Sequence, residues 1–249
     1  MRSLRSAIRT LAASFCCLLL VGNLTAAASE ATLEGWTARF DQPTDRYGHA
    51  IMGDLPEWGR LCLTDRAGSG VCVTLPERRV FEDMAPRLAD LNGDGTPEVV
   101  VVESDRNEGA ALVVYRLDSP ELTRIATPPI GRAFRWLAPA AIGDLNGDGN
   151  VEIAYVDRPH LAKTLRVWSF RGDKLVFLAS QKGLTNHRIG EPFISGGLRH
   201  CGNGPEIITV DGRWSKVMAT TLTGQTLKSR PLGPFAGQSS LTAALACRS

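Results

Sequence analysis

The sequence predicts an all-β fold, a small β-propeller of about four antiparallel blades, with five blades as the alternative and a β-sandwich as the rival architecture. Three observations lead there. An acidic loop occurs twice, starting at Asp90 and again 54 residues later at Asp144. Each copy runs directly into a β-branched stretch, residues 99–102 (four valines) or residues 153–156. Turn residues cut most of the remaining chain into short strand-like runs, and no long amphipathic helical period interrupts them. Repeats of ~40–55 residues, each with several strands, have the size of a propeller blade.

The chain opens with a basic segment (Arg2, Arg5, Arg9) and an apolar run from about Leu11 to Val21. Ala26, Ala27 and Ala28 follow as a cleavage site of small residues, so residues 1–28 read as an export signal peptide. The apolar run is too short for a spanning helix. Cys16 and Cys17 lie inside it rather than after it, which argues against a lipoprotein. Residues 29–249 then form a single domain, large enough for a proper core. Removing three arginines and no acids takes the formal charge from +2 to −1. A near-neutral chain without a basic run disfavours nucleic acid or an anionic membrane as its main partner, and no later stretch is apolar enough to span a bilayer.

Four cysteines remain in the exported part: Cys62, Cys72, Cys201 and Cys247. An even number in such a chain suggests disulfides, and four cysteines allow three pairings. Cys62 and Cys72 flank a glycine-rich turn between two short alternating strands and could face each other across that hairpin. Cys201 and Cys247 would then pair by elimination.

The repeat extends beyond the acidic loops. Residues 139–145 (PAAIGDL) match residues 49–55 (HAIMGDL) upstream and residues 192–198 (PFISGGL) downstream. Residues 206–211 (EIITVD) mirror 152–157 (EIAYVD) at the same offset. This gives four units, the outer two weakly related. Strands are expected at about 87–89, 98–103, 112–117 and 123–126 in the second unit. The third should have them at about 134–142, 151–157, 164–170 and 174–180. A ring must close, and residues 34–40 could supply the outer strand of the last blade. Alternatively, residues 237–247 form an extra part-blade.

Each acidic loop places oxygen side chains at positions 1, 3, 5 and 9, with glycine at position 6 for the sharp turn. That pattern surrounds a hard cation with oxygen and favours calcium over magnesium. An EF-hand would need a helix and a bidentate acid at position 12, where these loops have Val101 and Tyr155 in strands. Solvated Asx turns are the plain reading of such a loop, and two complete copies argue against it.

On these loops, and the strands that follow them, the chain resembles the FG-GAP/VCBS repeat proteins, the group that includes the integrin α-subunit propeller. The resemblance implies two calcium sites. Asp90, Asn92, Asp94 and Glu98 would bind one ion, and Asp144, Asn146, Asp148 and Glu152 the other. Thr96 and Asn150 would add backbone carbonyls. The outer repeats lack the acidic ladder and are expected to bind no metal.

No nucleophile elbow, phosphate-cradling loop or dinucleotide fingerprint is present. His160 and His187 lie in polar loops that could line one rim of a propeller. His49 and His200 stand apart from any metal-binding motif. Glu82, Asp83, Glu103, Asp157 and Asp211 could converge as catalytic carboxylates, and the five tryptophans could stack on sugars or fill space between blades. The sequence therefore points to an exported, periplasmic or secreted, calcium-binding scaffold for binding or adhesion, without catalytic residues. Its partner would be a protein or glycan of the cell envelope. The alternative is a carbohydrate-active hydrolase or lyase with its site in the propeller funnel. Docking into an envelope assembly is a third reading.

Overall fold

The computed structural model describes residues 29–248. The export-signal reading of residues 1–28 lies outside them. The first unit contains β1 (Glu30–Leu33), β2 (Trp36–Thr44), β3 (Glu57–Thr64) and β4 (Gly70–Thr74). The second has β5 (Arg79–Phe81), β6 (Arg87–Ala89), β7 (Glu98–Asp105), β8 (Gly109–Asp118) and β9 (Glu121–Ala126). Next come β10 (Leu137–Gly143), β11 (Glu152–Asp157), β12 (Thr164–Arg171) and β13 (Lys174–Lys182). The last unit holds β14 (Leu184–Thr185), β15 (Gly197–His200), β16 (Pro205–Asp211), β17 (Lys216–Thr223) and β18 (Thr226–Pro234). One helix, α1 (Gln238–Leu245), closes the chain. No helix among the described residues is long and apolar enough to cross a membrane.

All ladders are antiparallel. The first two units share one nine-stranded sheet through the pairing of Trp58 with Phe81, and the later units form sheets of four and five strands. Inner strands are buried on both faces, which explains their nearly continuous apolar sequences. Val99 and Val101 face the first unit, with Leu61 and Leu63, whereas Val100 and Val102 face the third, with Trp136, Ile153 and Tyr155. Ala154 and Val156 point the other way, toward Leu184 and Ile207 of the last unit. Ile208, Val210, Val217 and Ala219 then pack against Leu241 and Ala244 of α1. Successive residues of one strand thus alternate between two neighbouring cores, as the period of 2 requires.

These cores follow one another along the chain and end at α1. The closing strand expected from residues 34–40 is not found at the last unit. Residues in that stretch pair with β1 and β3. A two-residue turn at Glu34 and Gly35, both with positive φ, folds β1 onto β2 locally. Such a hairpin avoids the entropy of closing a loop around the whole chain. The part-blade expected from residues 237–247 is instead mostly α1, which covers the free face of the last sheet. First and last units meet through a loop, where the N–H of Gly190 donates to the carbonyl of Ile51 at 3.0 Å.

Both expected disulfides are present. Cys62–Cys72 joins directly opposed residues of β3 and β4, and Cys201–Cys247 ties the chain after α1 to the turn between β15 and β16. They lie at the two extremities of the series of cores.

Candidate functional site

The two acidic loops fold alike. In the first, Asp90 accepts the N–H groups of Gly93 at 2.7 Å and Gly95 at 3.0 Å, Asn92 accepts Asp94 N–H, and Asp94 accepts Thr96 N–H. In the second, Asp144 accepts Gly147 and Gly149, Asn146 accepts Asp148, and Asp148 accepts Asn150. Gly95 and Gly149 adopt φ of 85° and 84°, a conformation costly for any residue with a Cβ. The position-9 acids differ from the others because both are buried. Glu98 Oε2 accepts Leu91 N–H at 2.7 Å, and Glu152 Oε2 accepts Leu145 N–H at 2.9 Å. Burial pushes both carboxyls above their ordinary range, whereas N–H donation from Thr96 and Asn92 holds Asp94 below it. Glu152 Oε1 is buried without a hydrogen-bond partner. Among the described residues, no three His, Cys, Asp or Glu side chains converge closely enough to grip a metal by themselves.

The ladder of β10 with β11 runs from Gly143 opposite Glu152 to Leu137 opposite Asp157. The second acidic loop therefore sits at one end of this sheet, and residues 158–163 sit at the other. At that other end, four separate segments build a pocket of about 210 Å³ lined by His49, Ile51, Phe134, Arg135, Trp136, Arg158, His160, Leu161 and Ile189. Gly109 helps to place it. At φ 72°, a Cβ here would fall 2.1 Å from the carbonyl oxygen of Arg132, so glycine lets residues 132–135 lie against β8. The N–H of Ala110 donates to Arg135 O at 2.9 Å and fixes that approach.

Polar groups beneath the pocket are tightly organised. Glu82 is 1% exposed, with His49 Nδ1 2.6 Å from its Oε1 and Ser104 Oγ donating to its Oε2. Trp136 Nε1 donates to the Glu82 carbonyl at 2.8 Å. Burial raises the Glu82 carboxyl, and the hydrogen bond from His49 opposes that rise. Tyr47 accepts Phe134 N–H at 2.7 Å, and burial pushes its phenol up to about 12. His160 Nε2 lies 3.0 Å from His187 Nδ1, and His187 Nε2 lies 2.8 Å from Glu191 O. Burial lowers both imidazoles, His160 to about 4, so both are neutral near pH 7.

The rim around this pocket is apolar and cationic. Phe134, Leu161 and Ile189 are exposed there, and Arg135 and Arg158 line it with them. The acidic loops occupy the opposite end of the sheets.

Of the two histidines expected in rim loops, His160 lines the pocket and His187 lies against it, its Nδ1 3.0 Å from His160 Nε2. His49 joins them, which its isolated position in the sequence did not suggest. His200 stays elsewhere, in β15. The five acids do not converge. Glu82 is with His49, Asp83 with Arg87, Glu103 with Arg79 and Arg124, Asp157 with Arg158 and Arg166, and Asp211 with Ser215. Sequence reasoning missed Tyr47, Phe134 and Arg135. No local pattern marks them, because the pocket exists only where distant loops meet.

An all-β chain of antiparallel repeat units with a pocket at one end of its sheets belongs to the class of propeller-like folds. The chain covers 84% of its length on the exotype rhamnogalacturonan lyase YesX, with a TM-score of 0.50 and 15% identity. It spans 47% of that protein, about half its length. Residues 90–155, which include both acidic loops, match the FG-GAP-like repeat family. The protein thus carries FG-GAP-like repeat sequence on a propeller-like all-β fold. No curated protein matches the chain.

Proposed function

We propose that this is an exported, calcium-stabilised propeller of four blades that acts as a non-catalytic binding scaffold in the cell envelope. The pocket on His49, Trp136 and His160 is its ligand site. One observation carries this reading: neutral, oriented imidazoles and aromatic rings meet in a concave site at one end, surrounded by exposed apolar side chains. Largely apolar pockets with a few convergent polar groups are where ligands bind.

Calcium belongs at the other end. Asp90, Asn92, Asp94 and Glu98 would hold one ion with the Thr96 carbonyl, and Asp144, Asn146, Asp148 and Glu152 the other with the Asn150 carbonyl. The donor set is all oxygen, and the buried orphan oxygen of Glu152 is a group that a cation would satisfy. Its role would be to neutralise clustered carboxylates and clamp the start of β7 and β11. Export is supported by the two disulfides.

The enzymatic alternative has one observation in its favour, since a buried carboxylate orienting a histidine is how a general base is held. The lyase activity of YesX belongs to that protein, and 15% identity transfers only the fold. Binding of glycan arrays and envelope extracts to the wild type and to Phe134→Ala tests the scaffold reading. Capture lost in the variant supports it, and turnover of any captured glycan would replace it with the enzymatic one.

A further inference from the structure

Hydrogen-bond polarity determines what the pocket offers. A carbonyl oxygen only accepts, so His187 Nε2 must carry the proton that reaches Glu191 O. In a neutral ring, Nδ1 of His187 is then an acceptor, and His160 Nε2 must donate to it. This leaves Nδ1 as the acceptor atom of the His160 ring, in a side chain that lines the pocket. It can receive a hydroxyl proton, but it cannot donate to a carboxylate. His49 is fixed by Glu82 through Nδ1, which leaves its Nε2 for a ligand.

Among the described residues, the mouth holds one cation without an acidic partner. Arg158 and Arg166 share one carboxylate, Asp157. The Arg135 guanidinium touches only the carbonyl of Phe134 and forms no ion pair among the described residues. Phe134 is 47% exposed and presents an aromatic surface beside these groups. A volume of about 210 Å³ is on the scale of one compact ring.

Resting on the reading of this pocket as the ligand site, we propose that it takes a small hydroxylated carboxylate of the sugar-acid type, free or as the terminal residue of an acidic glycan. The carboxylate meets Arg135, a hydroxyl donates to His160 Nδ1, and the C–H face of the ring lies on Phe134. A neutral sugar lacks the first contact, and a simple aliphatic acid lacks the other two.

The test is an NMR titration of the whole exported chain, following backbone amides at His49, Phe134, Arg135, Trp136 and His160. The probes are D-glucuronate, glucose, acetate and a glucuronate-terminated disaccharide. Glucuronate is expected to shift these amides at least tenfold more tightly than glucose or acetate. Arg135→Gln and His160→Gln should each weaken it several-fold, with the amide spectrum elsewhere unchanged. Tighter binding of the disaccharide assigns the glycan end as the source, and equal binding assigns the free acid. Equal affinity for glucose and glucuronate would overturn the carboxylate requirement. If all four probes fail while envelope material still binds through Phe134, the ligand class falls and the pocket reading survives. If Phe134→Ala also leaves envelope binding unchanged, both fall.

Discussion

Cys201 and Cys247 offer a sharp test of how the end of the repeat series is secured. Their disulfide spans 46 residues and holds the chain just beyond α1 against the β15–β16 turn. Replacing both with serine restores to the unfolded chain the freedom that the cross-link removes. In the loop-entropy treatment, that freedom amounts to about 4 kcal/mol for this span, compared with about 2.7 kcal/mol for the ten-residue span of Cys62–Cys72. With a urea m-value of ~2.5 kcal/mol per molar, the longer loop should lower the unfolding midpoint by about 1.6 M. The shorter one should lower it by about 1.1 M. The two double variants should therefore fall in that order. The Cys201/Cys247 variant should also show early exposure of Ile208, Val210 and Val217, seen as dye binding before the main transition, as α1 lifts from the last sheet. An unchanged midpoint and m-value without early dye binding would refute the reasoning. Packing of Leu241 and Ala244 would then hold α1 without help.

Chelation should lower the melting temperature, and Asp94→Ala with Asp148→Ala should abolish most of the response. At ~1 mM calcium and a Kd of ~0.1 mM, linkage gives about 1.4 kcal/mol per site, and an identical melt in EDTA would reject a structural ion. Gly109→Ala should destabilise the fold by about 1–3 kcal/mol in urea unfolding, because the new Cβ meets the Arg132 carbonyl at a left-handed backbone position. A neutral result would mean that residues 132–135 are not pinned to β8. The third expectation concerns pH. His160 titrates lower folded, at about 4, than unfolded, so its contribution is complete above about pH 6.5 and is lost as pH falls toward 4. The melting temperature of His160→Gln relative to wild type should rise over that window, and comparing the two cancels the opposing titration of Glu82. A flat difference would show that His160 is not held neutral.

Much of the scaffold was legible because it rests on local chemistry. Val99 to Val102 and the two Asp–Asn–Asp ladders announce a turn and a strand within a dozen residues. Cys62 and Cys72 announce a hairpin in the same way. The ends of the chain were misread because each depends on what lies beside it. Residues 34–40 could pair with any open strand edge, and the Glu34–Gly35 turn made β1 and β3 the partners. The stretch containing α1 has no commanding period. Its helical form follows from the flat apolar face of β16 and β17 that it covers. The pocket was least legible of all. His49, Phe134 and His160 come from three loops, and nothing in their own neighbourhoods states that they meet.

The Arg135 guanidinium, with no carboxylate of the described residues against it, also governs how a small anion arrives at the pocket. A fixed charge at the mouth draws such a ligand in over about a Debye length. Capture should accelerate in dilute buffer and slow as added salt shortens the reach of the field, with the departure rate nearly constant.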